Sequence, residues 1–347
     1  MKHLLSKETV KEARFYKKLR ADKVECSLCE RRCVLSPGET GYCKTRVNID
    51  GKLYTLVYGD LSAIESRPIE IKPFYHYWPG STATTISTWS CNFSCLWCQN
   101  YSLSRTEPNP ELAIYRPPED VIRYARYWND EGLCISFQEP TLLTEYALDL
   151  FKLGVKIGLY CCYVSNGYMT LEALRELIKS GLTGLKIDIK GDKNTYLKYC
   201  GGVDVNVPWR NARFAKEQGI HTEIVCLIVT GVNDDETIIT EIVNRHLKEL
   251  GPNVPIHFTR YYPAYKWHEP PTSIKLLEQA CEIARKSGIN YVYIGNVPGH
   301  KLENTYCPNC GELLIKRYIF DITRINIVNH YECPKCSTKI KIIGEIV

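Results

Sequence analysis

The chain has 347 residues, of which 44% are hydrophobic and 24% charged, and its formal net charge is +5. These are ordinary globular values, so they exclude wholesale disorder and give no charge argument for nucleic-acid binding. Seventeen residues are cysteines, a larger share than most intracellular chains carry but below the roughly 8–10% of a disulfide scaffold. The length predicts about two domains, or one barrel-sized domain with appendages. The cysteines predict thiols that bind metals or act in catalysis.

The N-terminal segment mixes acidic with basic residues and lacks the apolar core of a signal peptide. No later segment approaches about 18 uninterrupted apolar residues, so no membrane partner is expected. These features predict a cytoplasmic protein, in a compartment where thiols stay reduced.

In chain order, the first candidate metal site lies in the segment ECSLCERRCVLSPGETGYCKTR. Cys26, Cys29 and Cys33 lie close together, and a loop with Pro and Gly returns the chain to Cys43. Four thiolates form a closed site, which either zinc or an accessory iron–sulfur cluster satisfies, and zinc is the favoured of the two. We predict that residues 1–75 form an N-terminal helix and a four-Cys metal-binding subdomain.

Between residues 76 and 300, short β-rich runs alternate with longer helical ones. The clearest helix has Thr170 placed to cap its start and Gly181 to end it. Repeated β/α units predict an α/β fold with a parallel sheet, as a partial or full TIM-like (β/α) barrel that binds ligands at the C-terminal ends of its strands. The strands are predicted at 82–89, 134–139, 158–166, 184–190, 221–230, 254–262 and 291–295.

The segment CNFSCLWCQN follows the first of these strands and spaces Cys91, Cys95 and Cys98 as CxxxCxxC. Structural zinc sites and ferredoxin-type clusters use four protein ligands. Three thiolates would leave one iron of a [4Fe–4S] cluster open, so that a substrate or cofactor can bind the metal itself. A structural zinc site with a distant fourth ligand is the less favoured alternative, because the motif opens a β/α series.

Two CxxC hooks, CPNC and CPKC, close the chain and are separated by β-rich sequence. The spacing of Cys307, Cys310, Cys333 and Cys336 predicts a zinc ribbon over residues 301–347, with tetrahedral thiolate coordination. The zinc would be structural, because a segment of about 40 residues buries too little apolar surface alone.

Ribbons also bind nucleic acid, but few stacking aromatic residues accompany the basic residues of this one, so nucleic acid is not an expected partner. Those basic residues are Lys316, Arg317, Lys335, Lys339 and Lys341.

For the other cysteines and for two histidines, packing in the core is the alternative to a role in a functional site. His257, on the sixth predicted strand, is interpreted as a hydrogen-bonded core residue, and His76 is a candidate shield for the central cysteines. Six cysteines are predicted to pack in the core: Cys134, Cys161, Cys162, Cys200, Cys226 and Cys281.

The CxxxCxxC motif, with Trp97 just before its third cysteine, resembles the radical S-adenosylmethionine (SAM) superfamily. The stretches IEIKPFYHYWPGSTATTISTWSCNFSCLWCQN, HFTRYYPAY and YVYIGNVPGHKLENTYCPNCGELLIKR are similar to the radical SAM member of the AmmeMemoRadiSam group, which is related to pyruvate formate-lyase activating enzymes. The resemblance implies that residues 76–300 form a radical SAM barrel. It also implies that a reduced cluster cleaves SAM to methionine and a 5′-deoxyadenosyl radical, which abstracts a hydrogen atom.

The same resemblance implies SAM contacts at the ends of the second and third strands. In SFQEPT, Glu139 lies where the superfamily's GGE motif places the carboxylate for the methionine amino group, with Phe137 and Gln138 in place of the two glycines. The SNG segment is similar to the TNG of glycyl-radical activating enzymes, which makes Ser165 and Asn166 candidate polar contacts to SAM. Trp97, beside the cluster, is a further candidate contact to the cofactor.

Two further strand ends supply candidates of the same kind. LKIDIK resembles the activases' DxK pattern, in which Lys190 suits the SAM carboxylate and Asp188 a ribose or a bound cation. Asn233, in TGVNDD, is a candidate contact to the cofactor's ribose or backbone. For each of these polar residues the alternative is a helix cap.

The leading hypothesis is a radical SAM enzyme, similar to pyruvate formate-lyase activating enzyme, that acts on a macromolecule, with protein favoured over RNA. Candidate partners implied by the resemblance are AMMECR-type and Memo-type proteins and an electron donor such as ferredoxin or flavodoxin. Two alternatives remain: a tRNA-modifying radical SAM enzyme, and a non-enzymatic iron–sulfur and zinc scaffold, for which an open iron has no use.

Overall fold

The computed structural model describes residues 2–347, which divide into two compact units. The first unit comprises the residues up to Arg67 together with Ala83–Leu185, and the second comprises Pro68–Thr82 together with Lys186–Val347. The division into subdomains at residues 75 and 300, made from the sequence, stays a prediction.

The first unit begins with a short 3-10 helix, Lys2–Ser6, and two small antiparallel sheets. One sheet has the order β1-β6-β5 and the other β2-β3-β4. The strands are β1 (Lys11–Glu12), β2 (Tyr16–Lys18), β3 (Val24–Cys26), β4 (Val34–Leu35), β5 (Arg46–Ile49), β6 (Lys52–Thr55) and β7 (Ala63–Pro68). The β3–β4 turn therefore carries Cys29 and Cys33, while the loop before β5 carries Cys43.

Strands and helices then alternate, and each of the seven predicted strands overlaps an observed one, although the strand predicted at 134–139 lies at Gly132–Ile135. The strands are β8 (Thr82–Ser87), β9 (Gly132–Ile135), β10 (Tyr160–Ser165), β11 (Gly184–Ile189), β12 (His221–Ile228), β13 (Ile256–Arg260) and β14 (Val292–Gly295). The helices are α1 (Tyr101–Ser104), α2 (Pro118–Trp128), α3 (Thr144–Lys156), α4 (Leu171–Lys179), α5 (Lys193–Tyr199), α6 (Asn206–Glu217), α7 (Glu236–Leu250) and α8 (Ile274–Lys286). Within residues 2–347, none of the helices combines the length and apolar character needed to cross a membrane.

The strands β7 to β14 form one sheet in the order β14-β13-β12-β11-β10-β9-β8-β7. Pairing is parallel between β8 and β9, β9 and β10, β12 and β13, and β13 and β14. This confirms the predicted α/β class with a mostly parallel sheet. Its curvature into a partial or full barrel stays a prediction.

Local sequence signals set the ends of helix α4, as predicted. Thr170 accepts a hydrogen bond from the Ala173 N–H at 3.1 Å, so it caps the N-terminus. Gly181, with φ of 115°, follows the last turn in a conformation that residues with a side chain rarely adopt. Leu174 and Leu177 are fully buried, so the apolar face of the helix packs on the core.

The second unit ends in a three-stranded antiparallel sheet of β15 (Thr305–Tyr306), β16 (Leu313–Tyr318) and β17 (Asp321–Ile325). Leu314 and Ile315 of β16 are buried in one apolar cluster with Tyr291 and Tyr293, next to and on β14. The C-terminal segment therefore shares a core with the end of the parallel strands. The six cysteines outside the three metal groups are all buried, as predicted.

Candidate active site and metal centres

The loop after β8 carries the three cysteines of the CxxxCxxC motif, Cys91, Cys95 and Cys98, all of them half-buried. The Phe93 N–H donates to Cys91 Sγ at 3.3 Å, and Cys98 Sγ lies 3.2 Å from Ser104 Oγ. Burial raises the pKa of the Cys91 thiol above its usual range, and a bound metal would take the place of that proton. Three thiols with hydrogen-bonding groups beside two of them fit a [4Fe–4S] cluster that keeps one iron open, and these residues would hold it.

The side chain of Asn166 links this motif to the end of β10. Its Nδ2 donates to Asn92 Oδ1 at 2.7 Å and lies 3.9 Å from Cys91 Sγ, while its Oδ1 accepts from the Tyr168 N–H at 3.0 Å. The structure thus brings the predicted residues Cys91 and Asn166 together. Asn92, which the sequence analysis missed, has a buried Nδ2 with no hydrogen-bond partner in the described part of the chain. Its position next to Cys91 was the only available signal.

Glu139 is buried at the end of the second β/α segment and accepts four hydrogen bonds. Oε1 accepts from the Thr141 N–H at 3.0 Å, from Thr141 Oγ1 at 2.5 Å and from Ser165 Oγ at 2.7 Å. Oε2 accepts from the Asn166 N–H at 2.9 Å, which leaves this oxygen room for a second donor. Burial raises the pKa of the Glu139 carboxyl, and the donors act in the opposite direction. The residue caps a 3-10 helix and ties the predicted site residues Ser165 and Asn166 to itself.

The two residues that replace the glycines of the GGE pattern behave differently. Phe137 has φ of 72°, the left-handed conformation that glycine adopts easily and that residues with a large side chain rarely adopt. The side-chain amide of Gln138 is buried, and neither its oxygen nor its nitrogen has a hydrogen-bond partner within residues 2–347. A buried amide without partners is costly, so Gln138 is a ligand-binding candidate that the sequence analysis missed.

In the second unit, Asp188 lies between two lysines on one face of β11. The ammonium groups of Lys186 and Lys190 both pair with its carboxylate, the latter at 3.1 Å. Burial alone would raise the pKa of Asp188, but the two ammonium groups outweigh it and lower the pKa to about 2. Asp188 and Lys190 are thus brought together as an ion pair, and their predicted cofactor contacts stay predictions.

Asn233 and Trp97 are buried, at 0% and 3% exposure. Asn233 accepts from the Val229 N–H at 2.6 Å and donates to the carbonyl oxygens of Lys190 and Leu227, each at 2.9 Å. The amide therefore fixes the backbone that carries Lys190. Its contact with a cofactor, like that of Trp97, stays a prediction.

The four C-terminal cysteines form a compact metal-binding group. Their sulfurs all lie within 4.8 Å of one another, and no other group of three or more potential ligands in residues 2–347 converges as tightly. The sulfurs of Cys307 and Cys336 are 3.5 Å apart, and those of Cys310 and Cys333 are 3.6 Å apart. This confirms a C-terminal four-Cys group that is able to hold a metal.

The four N-terminal cysteines instead line one cavity in the first unit. Cys43 Sγ is 3.2 Å from Thr45 Oγ1, and burial raises the pKa of Cys26 to about 12, with the Arg46 guanidinium acting in the opposite direction. Arg46 also lines the cavity and makes a buried two-pronged ion pair with Glu145, at 2.7 and 2.6 Å. The cavity is therefore a candidate metal site with a fixed positive charge in its wall.

The second unit also contains a buried polar cluster, centred on Glu223, which the sequence analysis missed. Its carboxylate meets Nε2 of His221 at 2.8 Å and Nε2 of His257 at 2.6 Å, and it accepts from the His76 N–H at 2.8 Å. His257 is thus a hydrogen-bonded core residue, as predicted. Both ring nitrogens of His76 lie within hydrogen-bond distance of groups in the same unit, Tyr293 Oη and the Lys341 carbonyl oxygen, and its shielding role stays a prediction.

The sequence of this chain is similar to a known protein family and to a protein of Methanocaldococcus jannaschii. A sequence profile described as the radical SAM superfamily matches residues 85–242. The chain is 39% identical over 336 residues to the uncharacterized protein MJ0808 of Methanocaldococcus jannaschii, a match that covers 96% of this chain and 100% of that protein.

Two solved structures are similar to parts of the chain. One is a domain of pyruvate-formate lyase-activating enzyme from Bacteroides vulgatus, with 23% identity, a TM-score of 0.41, and coverage of 48% of this chain and 99% of that one. The other is a radical SAM methyltransferase from Sphaerobacter thermophilus, with 14% identity, a TM-score of 0.49, and coverage of 68% and 71%.

The three-thiol motif after the first parallel strand lies within the residues that the profile matches, which supports an enzyme of the radical SAM type. Residues 85–242 therefore form a radical SAM superfamily domain, and the whole chain belongs to one protein family with MJ0808.

Proposed function

We propose that this protein binds a [4Fe–4S] cluster through Cys91, Cys95 and Cys98 and uses it to abstract a hydrogen atom from a protein substrate. When bound, the cluster and SAM would supply the chemistry: the reduced cluster gives one electron to SAM, which is cleaved to methionine and a 5′-deoxyadenosyl radical. Three thiols leave an iron position for SAM, whereas a closed four-thiol site has none. A pure scaffold or electron carrier would have no use for that open position.

The contact between Asn166 and Cys91 carries the proposal. The Asn166 side chain lies 3.9 Å from Cys91 Sγ, while its backbone N–H donates to Glu139 Oε2 at 2.9 Å. One residue therefore connects the proposed cluster ligand with the carboxylate proposed to bind the methionine amino group. Gln138, the residue before Glu139, adds a buried amide whose donor and acceptor have no partner in residues 2–347.

In the second unit, we assign Lys190 to the SAM carboxylate and Asp188 to the ribose or a cation, on the resemblance of the LKIDIK segment to the activases. Asn233 acts through the Lys190 carbonyl oxygen, to which it donates at 2.9 Å, and is a positioning residue in this scheme. The C-terminal four-Cys group would hold zinc.

The substrate class rests on the resemblance to glycyl-radical activating enzymes, and an AMMECR-type or a Memo-type protein is the proposed substrate or partner, with ferredoxin or flavodoxin as the electron donor. One structural observation weighs against the tRNA alternative. Arg317, one of the basic residues of the C-terminal segment, is 2% exposed and donates to the Tyr75 carbonyl oxygen at 2.9 Å. It is therefore not part of a nucleic-acid-binding surface.

The first experiment measures 5′-deoxyadenosine formed from SAM by anaerobically reconstituted protein with a strong reductant. The wild-type chain should produce it, and a variant with Cys91, Cys95 and Cys98 all changed to Ala should not. Cys281→Ala, at a buried cysteine outside the metal groups, is the matched control and should keep the activity. Full activity in the triple variant would refute the proposal.

A second experiment identifies the substrate. The candidate partner proteins and bulk tRNA are supplied in deuterated form, and 5′-deoxyadenosine is analysed by mass spectrometry. Deuterium from an AMMECR-type or Memo-type protein supports the assignment, whereas deuterium from tRNA alone would establish the alternative.

A further inference from the structure

The C-terminal cysteines show how tightly thiols converge for a single metal ion. With Zn–S bonds of about 2.3 Å, the sulfurs of a tetrahedral site lie about 3.8 Å apart. The observed distances, 3.5 Å for Cys307 and Cys336 and 3.6 Å for Cys310 and Cys333, are close to that edge. In a [4Fe–4S] cluster each thiolate binds a different iron, so the sulfurs must stand farther apart.

The N-terminal cysteines have the wider arrangement. They line one cavity, yet no three of their sulfurs converge to within the 4.8 Å that describes the C-terminal group, among the residues that the structure describes. Within residues 2–347, no three sulfurs of the central cysteines converge to within 4.8 Å either. Backbone hydrogen bonds order the turns that carry the N-terminal cysteines: the Cys26 N–H donates to the Cys33 carbonyl at 2.9 Å, and the Lys44 N–H donates to the Gly41 carbonyl at 2.9 Å.

Two buried N–H groups in the wall of this cavity have no hydrogen-bond acceptor of good geometry, and one of them, the Asn92 amide, lies beside the Cys29 thiol. Nε of Arg46 and Nδ2 of Asn92 are both buried without a hydrogen-bond partner in residues 2–347, and both residues line the cavity. Unsatisfied buried donors are rare in native proteins, so a missing ligand is the natural acceptor. A [4Fe–4S] cluster presents inorganic sulfides as well as thiolate sulfurs to such donors, and hydrogen bonds to sulfur are a usual part of cluster sites.

The cavity is also attached to the central motif. Arg31 Nε donates to the carbonyl oxygen of Asn92 at 2.5 Å, and Asn92 directly follows Cys91. Glu30, which directly follows Cys29, donates its N–H to the carbonyl of Tyr168 at 3.0 Å. Tyr168 lies two residues after Asn166. Both hydrogen bonds lie within the first unit, so they connect the turn after Cys29 with the central motif and with the segment after β10.

From these four observations we propose that Cys26, Cys29, Cys33 and Cys43 hold a second, fully coordinated [4Fe–4S] cluster and not zinc. Asn92 and Arg46 donate hydrogen bonds to its sulfurs. Asn92 thereby stands between the two clusters, with its Oδ1 bound to Asn166 on the catalytic side.

The test is the metal content of full-length protein, reconstituted anaerobically with iron and sulfide in the presence of zinc. In the variant that lacks Cys91, Cys95 and Cys98, about four iron and four sulfide per chain should remain, and reduction should give the electron paramagnetic resonance signal of a [4Fe–4S]⁺ cluster. A folded triple variant that contains zinc but no iron would overturn the proposal.

A second pair of variants keeps the test decisive if the triple variant does not fold. Cys26→Ser with Cys29→Ser should lower the iron content from about eight to about four per chain and leave zinc unchanged, whereas Cys333→Ser with Cys336→Ser should lose zinc and keep all the iron. An iron content of about four in the wild type, with two zinc ions per chain, would contradict the assignment. Because the readout is metal content, it stands apart from SAM cleavage, whose failure would leave this result intact.

Discussion

The carboxylate of Glu139 offers the sharpest test of the proposed SAM site, through the substitution Glu139→Gln. The side chain accepts hydrogen bonds from Thr141, Ser165 and Asn166. Glu139→Ala would leave the buried N–H groups of Thr141 and Asn166 without an acceptor, at a cost of about 1–3 kcal/mol of stability each. Gln keeps the side-chain volume and one acceptor oxygen for Thr141 and Ser165, and leaves only the Asn166 N–H without an acceptor, so it removes the charge with less loss of structure than Ala.

The expected effect on binding follows from the bond that is removed. In the wild type, Oε2 accepts one hydrogen bond and has room for the methionine ammonium group. A hydrogen bond to a charged group contributes about 1.5–3 kcal/mol, and each 1.4 kcal/mol is tenfold in affinity. Glu139→Gln should therefore weaken SAM binding by about 10- to 150-fold, without emptying the cluster.

The assay is isothermal titration of cluster-loaded protein with SAM, with iron content measured on the same samples. Thr141→Val is the matched control, because it removes the 2.5 Å hydrogen bond from Thr141 Oγ1 to the carboxylate but keeps the negative charge. It should cost about 1 kcal/mol of stability and leave the affinity for SAM nearly unchanged. If Glu139→Gln binds SAM as tightly as the wild type, the amino group lies elsewhere.

Three further predictions concern stability. Arg46→Met should lower the free energy of unfolding in urea by about 3–5 kcal/mol, because it leaves Glu145 buried without its partner. Since the pKa of Asp188 is lowered to about 2 from 3.8, its ionised form should contribute about 2 kcal/mol that is fully present above about pH 4 and lost as the pH falls toward 2. The difference in stability between wild type and Asp188→Asn should shrink over that range, and a constant difference would contradict the ion-pair explanation. Cys333→Ser should release one zinc ion per chain and lower the unfolding temperature, measured by atomic emission and calorimetry, and full zinc retention would contradict a structural site.

Features set by neighbouring residues were predictable from the sequence. The cap at Thr170 and the glycine end at Gly181 depend on residues within one helical turn, and both are present. The repeated β/α pattern also predicted parallel strands whose polar C-terminal ends share one edge of the sheet. It placed Ser165 and Asn166 correctly at the end of β10.

Contacts between distant parts of the chain were not predictable. The ion pair of Arg46 and Glu145 joins residues 99 positions apart, and nothing in either local sequence indicates it. The predicted strand 134–139 ends at Ile135, because Phe137 takes a left-handed conformation that its residue type does not favour. Only the folded chain shows that Phe137 takes a conformation typical of glycine.

The four CxxC hooks of this chain show where sequence reasoning reaches its limit. Their spacing is the same in CSLC, CLWC, CPNC and CPKC, and so the spacing alone cannot name the metal. What differs is how the remaining ligands arrive. In the C-terminal group a second CxxC segment follows the antiparallel sheet and brings the sulfurs to within 3.5 and 3.6 Å of their partners. The N-terminal hook meets Cys33 from its own turn and Cys43 from a separate loop, around a cavity with two unsatisfied donors. The positions of the remaining cysteine ligands, more than the CxxC spacing, therefore indicate which metal group each site holds.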